Sequence, residues 1–503
     1  FALYSFFRLS AAEGQKDFNL YELVPSTTSA VFVTDDVLEF VAEVDELTCS
    51  KNQQYLYVSK LFSYLKQSLY ALSEDTPHGL SRQMNQMLIS FHEPDNERNQ
   101  VLYCRLGNGD KELVNRFVRK YISSLYPPKT FIYKGEEIII YPMADGDFLA
   151  CYLTSDFMAL SFQKKLIENV IDAYKSGKSL ADDSTFTGIR APKKSAAAAT
   201  IYTRMQGMMG WTEFDMKMKD DFIYFSGITH DADTCFAFIN QLRQQQSVKG
   251  FPGEVLPSTA FYFSRQGITD WVSLLSYGNA QGQSVPARTS EVQNRDKEFS
   301  RYLMENAGQD LVACLFQRED TLQGAAAVLS LSVADVTEAE RMLRALVNAA
   351  SADEGRRNPR ITFCYTVNKA YPIYRLPQTT LFEQLTSFAE PTLDVYAAFY
   401  GGRLLLAPDA DALAHYIRQL DKGEVLNGAM AYQTGMDHLS DSYHFMLMAD
   451  FDHIFQQSEN HVRFVPDFFL RNADFFRHFT LFVQFACADG MVYPNIVLKY
   501  KSE

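Results

Sequence analysis

The sequence lacks any Cys-x-x-Cys pair, and its seven cysteines stand singly at positions 49, 104, 151, 235, 314, 364 and 487. A disulfide framework or a structural zinc site normally shows an even count or a closely spaced pair. Most of these cysteines lie in apolar, strand-like runs, where a free thiol behaves as a small hydrophobic side chain. We therefore predict neither disulfides nor zinc, and the cysteines leave the compartment open.

The sequence also lacks an apolar run of the roughly 20 residues that a membrane-spanning helix needs. Its first residues, Phe1–Arg8, are nevertheless apolar and aromatic, and the polar stretch Ser10–Asp17 follows them. This pattern is typical of the downstream end of a membrane anchor and its spacer, which we assign to residues 1–20. The alternative is an apolar arm that packs on the folded body. We expect the rest of the chain to be soluble.

Long basic runs are missing as well. With 47 Lys and Arg against 61 Asp and Glu, the formal net charge is −14, and the basic clusters do not exceed pairs such as Lys193-Lys194. Proteins that bind the nucleic-acid backbone carry basic patches, because they must neutralise phosphates. The composition therefore excludes nucleic acid as an expected partner.

What the sequence does contain is a repeated hexapeptide. The first hexapeptide, Glu22–Thr27 (ELVPST), returns as the second hexapeptide, Glu254–Thr259 (EVLPST), at an offset of 232 in the numbering. Further matches keep the same order at offsets of 231, 246 and 268, the last of which aligns Trp211 with Phe479. Offsets that drift while the order holds are expected when loops are inserted into a duplicated domain. We predict two tandem homologous repeats, at residues 21–250 and 251–503.

The hydrophobic periodicity predicts an α+β fold. In the first repeat it indicates strands near 29–34, 85–92 and 99–106, four strands between 129 and 162, and strands near 198–204, 209–218 and 221–229. It indicates helices within 36–72, 110–124 and 163–177. Strands that follow one another, interrupted by single helices, favour mainly antiparallel sheets with packed helices over a doubly wound parallel sheet.

Catalytic motifs are weak. The loop Arg105–Asp110 lacks the third glycine of a dinucleotide-binding loop, so we interpret it as a turn in which Asp110 caps a helix. Ser161 and Lys164 fit a Ser-x-x-Lys pattern, but the partner motifs of the acyl enzymes that use this pattern are absent. We predict no catalytic residues and no cofactor.

Histidines are concentrated in the second repeat, so a metal site has to be considered. The stretch contains His438, His444, His453, His461 and His478. No His-Glu-x-x-His motif occurs, and no two of these histidines have the i, i+4 spacing of two ligands on one helix face. We predict no metal, and the weak candidates for ligands are His444, Asp450 and His453.

An aromatic tract runs from Phe464 to Phe485. Most of it is expected to form core, and the remainder could dock a protein partner or lipid. The candidate partner-binding residues are Phe468, Phe469, Arg471, Phe475 and Phe476.

The two hexapeptides, the strand and helix after each, and the stretch Trp211–Ile228 resemble the bacterial domain-of-unknown-function family 3352, over about residues 20 to 500. The resemblance implies an envelope protein with an N-terminal membrane anchor and a periplasmic body, and it brings no catalytic residues.

We therefore expect a non-catalytic, membrane-anchored periplasmic protein that binds or scaffolds an envelope or outer-membrane protein complex. The alternative is a hydrolase or a small-ligand sensor with a site at the seam between the repeats, which could use His444, Asp450 and His453.

Overall fold

The chain divides into two compact units, Phe1–Asp220 (unit 1) and Asp221–Glu503 (unit 2), in a computed structural model. The structure describes residues 18–501, apart from the gaps 55–83, 94–95, 97, 108–109, 119–125, 144–145, 191–196, 205–209, 230–236, 273, 276–288, 319–323, 354, 356–357, 368, 378, 387–393, 457–464 and 466. Both units combine helices with antiparallel strands, so the α+β prediction is confirmed. The predicted anchor and its spacer lie mainly outside the described residues.

Unit 1 contains nine described strands and five described α-helices, with a 3₁₀ helix at Leu20–Leu23. The strands are β1 (Ala30–Thr34), β2 (Met87–Phe91), β3 (Gln100–Arg105), β4 (Lys129–Tyr133), β5 (Glu136–Pro142), β6 (Phe148–Leu153), β7 (Phe157–Ser161), β8 (Ala199–Thr203) and β9 (Thr212–Lys219). The helices are α1 (Val37–Glu46), α2 (Thr48–Lys51), α3 (Asp110–Phe117), α4 (Lys164–Ser176) and α5 (Ser184–Ile189).

The strands of unit 1 pair antiparallel in the spatial order β4-β5-β6-β7-β3-β2-β1-β8-β9. Helix α4 packs on strands β5, β6 and β7 and buries Ile167, Val170 and Ile171. Its C-terminus is closed by Gly177, whose φ of +64° lies in the left-handed region that favours glycine. The core of unit 1 is therefore a layer of helix on a mainly antiparallel sheet.

Unit 2 begins with β10 (Phe222–Thr229), α6 (Ala237–Arg243) and β11 (Val248–Lys249), followed by 3₁₀ helix Pro252–Val255. Its further strands are β12 (Ala260–Gly267), β13 (Ala307–Phe316), β14 (Ala326–Val333), β15 (Ile361–Tyr365), β16 (Ala370–Pro377), β17 (Asp394–Tyr400), β18 (Arg403–Ala407), β19 (Ser442–Tyr443), β20 (Phe445–Asp450), β21 (Phe479–Ala488) and β22 (Met491–Tyr500). Its further helices are α7 (Ser290–Asn306), α8 (Val336–Asp353), α9 (Leu381–Leu385), α10 (Ala410–Asp421), 3₁₀ helix Leu426–Gly428, α11 (Met430–Met436), α12 (Phe451–Phe455), α13 (Asp467–Arg471) and α14 (Ala473–Phe476).

The main strands of unit 2 also pair antiparallel, in the order β15-β16-β17-β18-β14-β13-β12-β20-β21-β22-β10. The first nine strands of this order occupy the same places as the nine strands of unit 1. The short strands β11 and β19 form a separate pair. Each unit is thus built on one strand order.

The two hexapeptides make the same backbone contacts. In unit 1 the Ser26 N–H donates to Lys178 O, and the Leu180 N–H donates to Val24 O, at 3.3 and 2.9 Å. In unit 2 the Ser258 N–H donates to Glu424 O, and the Leu426 N–H donates to Leu256 O, at 2.8 and 2.9 Å. The hexapeptides are related by an offset of 232 and their partners by an offset of 246, and both offsets occur among the matches in the sequence. The hexapeptide is therefore a structural turn tied to the segment after helix α4 or α10.

Aspartates begin several helices. Asp36 accepts the N–H groups of Leu38 and Glu39 at the start of α1, and Asp183 accepts those of Thr185 and Phe186 at the start of α5. Such side chains satisfy backbone donors that have no partner in the first helical turn. Helix α5 itself was not predicted.

Six of the seven cysteines lie in the described part of the chain. Five of the six are buried and Cys487 is partly exposed, and all six are free thiols. Burial raises the pKa values of Cys104 and Cys151 to about 12, so both thiols stay protonated at neutral pH. Cys235 lies outside the described residues.

No helix among the described residues combines the length and the apolar character needed to cross a membrane.

Candidate functional site

Asp450 is the centre of a polar cluster in unit 2 that adjoins a cavity. It is the last residue of β20, and its carboxylate accepts the N–H groups of Asp452 and His453 at 3.1 and 3.4 Å, so it caps α12. The Lys501 ammonium donates to the same carboxylate at 2.8 Å. His453 returns over the first turn of α12 and brings Nδ1 to 3.4 Å from Asp450 Oδ1.

The electrostatics of this cluster stabilise an ion pair. Burial acts to raise the pKa of Asp450, but the hydrogen bonds and charges of His453 and Lys501 outweigh it and hold this pKa below its ordinary value. The Asp450 carboxylate raises the pKa of His453, partly against the burial of the imidazole. Asp450 is therefore ionised at neutral pH, and His453 gains protonated character.

A cavity of about 190 Å³ adjoins this cluster inside unit 2. Polar side chains on its wall include Ser258 and Thr259 of the second hexapeptide, Tyr432, Asp450, His453 and Thr480. The apolar wall includes Phe261, Leu426, Met448 and Phe482. The His453 ring stacks on Phe261, with ring centroids 5.8 Å apart and 14° between the planes. The cavity thus combines an aromatic and aliphatic wall with one charged end.

The strand registers identify the equivalent place in unit 1. Ala30 pairs with Thr203 in unit 1, and Tyr262 pairs with Ala449 in unit 2. Ala30 and Tyr262 differ by 232 in number, and Thr203 and Ala449 differ by 246. These are the offsets that also relate the two hexapeptides and their hydrogen-bond partners. Arg204 follows Thr203 at the end of β8 in unit 1, and Asp450 follows Ala449 in β20 of unit 2. Arg204 therefore occupies the place of Asp450.

The next ladder extends the comparison. Thr203 pairs with Thr212, and Ala449 pairs with Leu481, an offset of 269. Trp211 consequently occupies the place of Thr480, not that of Phe479 as the sequence alignment had it. The difference of one residue matters because neighbouring strand residues point to opposite faces. Helix α5 begins at Ser184 and helix α11 at Met430, again at the offset of 246. Phe186 of unit 1 and Tyr432 of unit 2 therefore occupy equivalent places.

The equivalent place in unit 1 is filled by side chains. Trp211 is 1% exposed, and its ring and that of Tyr202 each lie 5.1 Å from the ring of Phe186. The Arg204 guanidinium covers the Trp211 ring at 4.8 Å and donates to the carbonyls of Ser26 and Thr28. Unit 2 has the smaller Thr480, Asp450 and Met448 where unit 1 has Trp211, Arg204 and Tyr202, and so it retains a cavity.

His444 lies apart from Asp450 and His453. Its Nδ1 accepts the Cys487 N–H at 3.2 Å, and burial lowers its pKa. It precedes Asp450 by six positions along an extended strand, a separation of roughly 20 Å. Of the three weak metal candidates, the structure therefore brings together only Asp450 and His453. The described part of the chain contains no group of three or more His, Cys, Asp or Glu side chains that could hold a metal ion.

The predicted partner-binding aromatics pack largely against one another. Phe469 and Phe476 lie 4.8 Å apart, and both rings also contact the buried Phe451 of α12. Phe475 lies 4.9 Å from the buried Phe479. Arg471 is exposed, and the Phe468 side chain lies outside the described residues. The described rings of this tract are therefore partly core, with Phe476, Phe479 and Phe482 buried and the others half-buried, and Arg471 lies at the surface.

The two weak sequence motifs have structural explanations. Ser161 is fully buried, donates to Gln100 O at 2.8 Å and accepts the Gln163 N–H at 3.1 Å, while Lys164 pairs with Glu168 at 2.6 Å. Asp110 opens α3 and accepts the Gly107 N–H at 2.6 Å. These contacts organise a helix start and a loop.

A second cavity, in unit 1, has a volume of about 350 Å³ and adjoins Asn19, Glu22, Tyr174 and Asp182. Its polar groups serve the local turns: Asn19 accepts the Tyr21 N–H, and Asp182 accepts from both the N–H and the hydroxyl of Ser179. It lies beside the first hexapeptide but lacks a cluster comparable with Asp450, His453 and Lys501.

Sequence reasoning missed an equivalent pair of exposed edge strands. Among the described residues β4 pairs only with β5, and β15 pairs only with β16. Ile132 and Tyr365 are 70% and 71% exposed, and Phe131 and Phe363 are also exposed. The signal was present in the sequence, because Thr-Phe-x-Tyr occurs at 130–133 and again at 362–365, at the offset of the two hexapeptides.

No family model, curated protein or solved structure matches this chain.

Proposed function

We propose that the protein is a non-catalytic, membrane-anchored periplasmic protein that binds or scaffolds an envelope protein complex, and that its two units descend from one duplicated domain. The shared strand order and the equivalent hexapeptide contacts support the duplication. The resemblance to domain-of-unknown-function family 3352 supports the location.

The binding role rests chiefly on the two edge strands. An unpaired edge presents a row of backbone N–H and C=O groups, and natural proteins usually protect it with charge, proline or a covering element. Strands β4 and β15 instead expose Phe131 and Phe363, which are equivalent at the offset of 232, and each strand exposes one further large side chain, Ile132 in β4 and Tyr365 in β15. A binding edge retained in both units accounts for this better than chance exposure does.

The occupant that we propose is an extended, acidic segment of a partner protein, which adds a strand to the edge. Exposed cations lie next to both edges: Lys129 begins β4, and Arg360 and Lys369 flank β15. These cations would repel one another if two copies of this chain paired edge to edge, and they would attract carboxylates of a partner.

The first experiment is crosslinking mass spectrometry on native membranes that contain the full-length protein. We expect stoichiometric crosslinks from lysines near β4 and β15 to one envelope assembly. Ile132→Glu and Tyr365→Glu should remove these crosslinks, because a carboxylate on the edge repels an acidic segment and adds no crosslinkable amine. Both side chains are largely exposed, so stability should change by no more than about 0.5 kcal/mol.

Met430→Glu is the matched control, since Met430 is 80% exposed and lies outside both edges. It should leave the crosslinks intact. Repeated recovery of the protein as an uncrosslinked monomer would refute scaffolding. Crosslinks that survive the double edge variant would refute the edge strands as the docking site. Protease protection of the full-length protein in intact cells and in spheroplasts tests the periplasmic location separately.

A second candidate function is small-ligand sensing by unit 2, and the cavity beside Asp450 and His453 favours it. A hydrolase would need a nucleophile, and Ser258 is the serine on this cavity wall. The same serine occurs in the first hexapeptide as Ser26, where its N–H ties the turn to Lys178, so a structural role explains its presence in both units. Absence of labelling by a serine-reactive fluorophosphonate is the expected result.

A further inference from the structure

The Trp211 side chain of unit 1 indicates what kind of group could occupy the cavity in unit 2. At the equivalent place, an indole ring lies against Phe186 and under the Arg204 guanidinium. Unit 2 keeps an aromatic residue, Tyr432, in the place of Phe186, but replaces the indole by the hydroxyl and methyl of Thr480. The wall that receives a flat ring is therefore retained, and the ring itself is missing from the chain.

The volume suits a single ring with a small substituent. A dry protein cavity of about 150 Å³ is large enough to bind benzene, and the cavity in unit 2 is about 190 Å³. Phe261, Met448 and Phe482 provide apolar surface for such a ring. Drug-sized ligands usually occupy pockets of roughly 300–1,000 Å³, so a cavity of this volume suits a smaller molecule.

The charge at the polar end selects the substituent. Asp450 is neutralised by Lys501 at 2.8 Å and is further occupied by the N–H groups of Asp452 and His453. Asp450, Lys501 and His453 together carry a net charge of zero, or of +1 when His453 is protonated, and the adjoining Asp452 lowers each sum by one. On the cavity wall itself, the His453 imidazole, whose protonated form Asp450 favours, supplies the charged donor for an anion.

We propose that the cavity in unit 2 binds a small aromatic acid, with one ring against Phe261, Met448 and Phe482 and its carboxylate toward His453. The proposal rests on the second candidate function and is independent of scaffolding by the edge strands.

The test is isothermal titration calorimetry of the full chain with three separate probes: benzoate, indole and benzylamine. We expect benzoate to bind saturably at about 1 mM or more tightly, and at least tenfold more tightly than benzylamine. Indole, which has the ring without the acid, should bind more weakly than benzoate. Failure of benzoate to bind, or equal affinities for benzoate and benzylamine, would overturn the proposal.

Thr480→Trp restores the unit 1 residue and should fill the cavity, weakening benzoate binding at least tenfold. Met448→Tyr, again the unit 1 residue, is the second variant if Thr480→Trp fails to fold. The matched control is Thr337→Trp, the same change at an exposed position of α8, which should leave the affinity unchanged. Benzoate binding that is unaffected by either cavity variant would refute the assigned site.

His453→Ala separates the charged end from the apolar wall. It should weaken benzoate binding at least fivefold and change indole binding less than twofold. Equal losses for both probes would contradict the carboxylate contact. Loss of benzoate binding with unchanged crosslinks to the envelope partner would show that ligand binding and scaffolding are separate properties.

Discussion

Unit 1 and unit 2 use one strand order around the hexapeptide, yet they pack the space beside it differently. In unit 1, Trp211, Phe186 and Tyr202 fill this space with rings that are at most 3% exposed. In unit 2, Thr480 and Asp450 replace two large side chains, and a charged cluster with an adjoining cavity results. Backbone architecture therefore does not determine whether the space is core or site; a few side chains do.

The filled space of unit 1 should stabilise the fold more than the cavity of unit 2 does. Burying large rings is strongly favourable, because each removes much apolar surface from water. Unit 2 forgoes that gain at Thr480 and instead keeps a carboxylate that needs Lys501 and His453 as partners. Such an exchange of stability for a polar cavity is typical of binding sites, and the following predictions test it.

The largest effect is expected for Trp211→Ala. Removing a fully buried indole should lower the free energy of unfolding of unit 1 by about 3–5 kcal/mol. The equivalent change in unit 2, Thr480→Ala, should cost about 1 kcal/mol or less. Denaturation followed by circular dichroism reports the whole chain, while fluorescence of Trp271, the remaining tryptophan, reports unit 2. Similar losses for the two variants would refute the contrast.

Arg204→Ala should cost unit 1 about 1.5–3 kcal/mol, because the Ser26 and Thr28 carbonyls lose a charged donor. Arg204→Lys should recover less than half of this loss, since an ammonium cannot reproduce the guanidinium geometry over Trp211. Denaturation in a Trp271→Phe background isolates the fluorescence of Trp211. An Arg204→Lys variant as stable as the wild type would show that the two guanidinium hydrogen bonds to Ser26 and Thr28 are not needed.

Gly435→Ala should destabilise unit 2 by about 1–3 kcal/mol through overpacking. A Cβ at this position would lie closer than 3.0 Å to three ring carbons of Phe482. Unit 1 accommodates Ile189 at the equivalent place, because Glu213 replaces Phe482 in the register there. The control is Gly428→Ala, where a Cβ meets nothing within 4 Å; its midpoint should match the wild type within error.

The smallest effect is the pH dependence of His453→Gln. Because the folded-state pKa of His453 is raised above 6.5, its contribution is present below that pH and is lost as pH rises through the raised value. The contribution also declines as pH falls through the lowered pKa of Asp450, below an ordinary value of 3.8. The stability difference from wild type should therefore peak between these limits.

The size of this difference should stay below about 1 kcal/mol, because the His453 side chain is 45% exposed. Thermal unfolding at pH 5, 6.5 and 8 measures it. The penalty of Arg204→Ala should remain constant over the same range, since arginine does not titrate there. A difference that grows from pH 5 to pH 8 would contradict the Asp450–His453 ion pair.

Much of the fold could be predicted from local patterns. The four strands expected between 129 and 162 are present, and the helix expected at 163–177 is α4, Lys164–Ser176. Helix α5 was missed because its six residues, STFTGI, include two threonines, an isoleucine and a glycine, none of them a strong helix former. It forms because Asp183 caps it and Phe186 packs in the core.

The candidate site could be predicted only in part. Asp450 and His453 were recognised as polar residues close in sequence, and side chains three positions apart at a helix start are close in space for local reasons. Lys501, Tyr432 and Thr480 were missed, because they come from segments distant in sequence that only the tertiary structure brings together. His444 does not belong to that group, since proximity along a strand does not mean proximity in space.

By itself the sequence determined the α+β class, the repeated hexapeptide turn and most strand positions of the first repeat, because these depend on periodicity and capping over a few residues. The tertiary structure alone decided that Trp211 stands in the place of Thr480 and that one unit is filled where the other is open. That outcome depends on strand register, in which a shift of one residue exchanges the two faces of a strand. No local pattern specifies it.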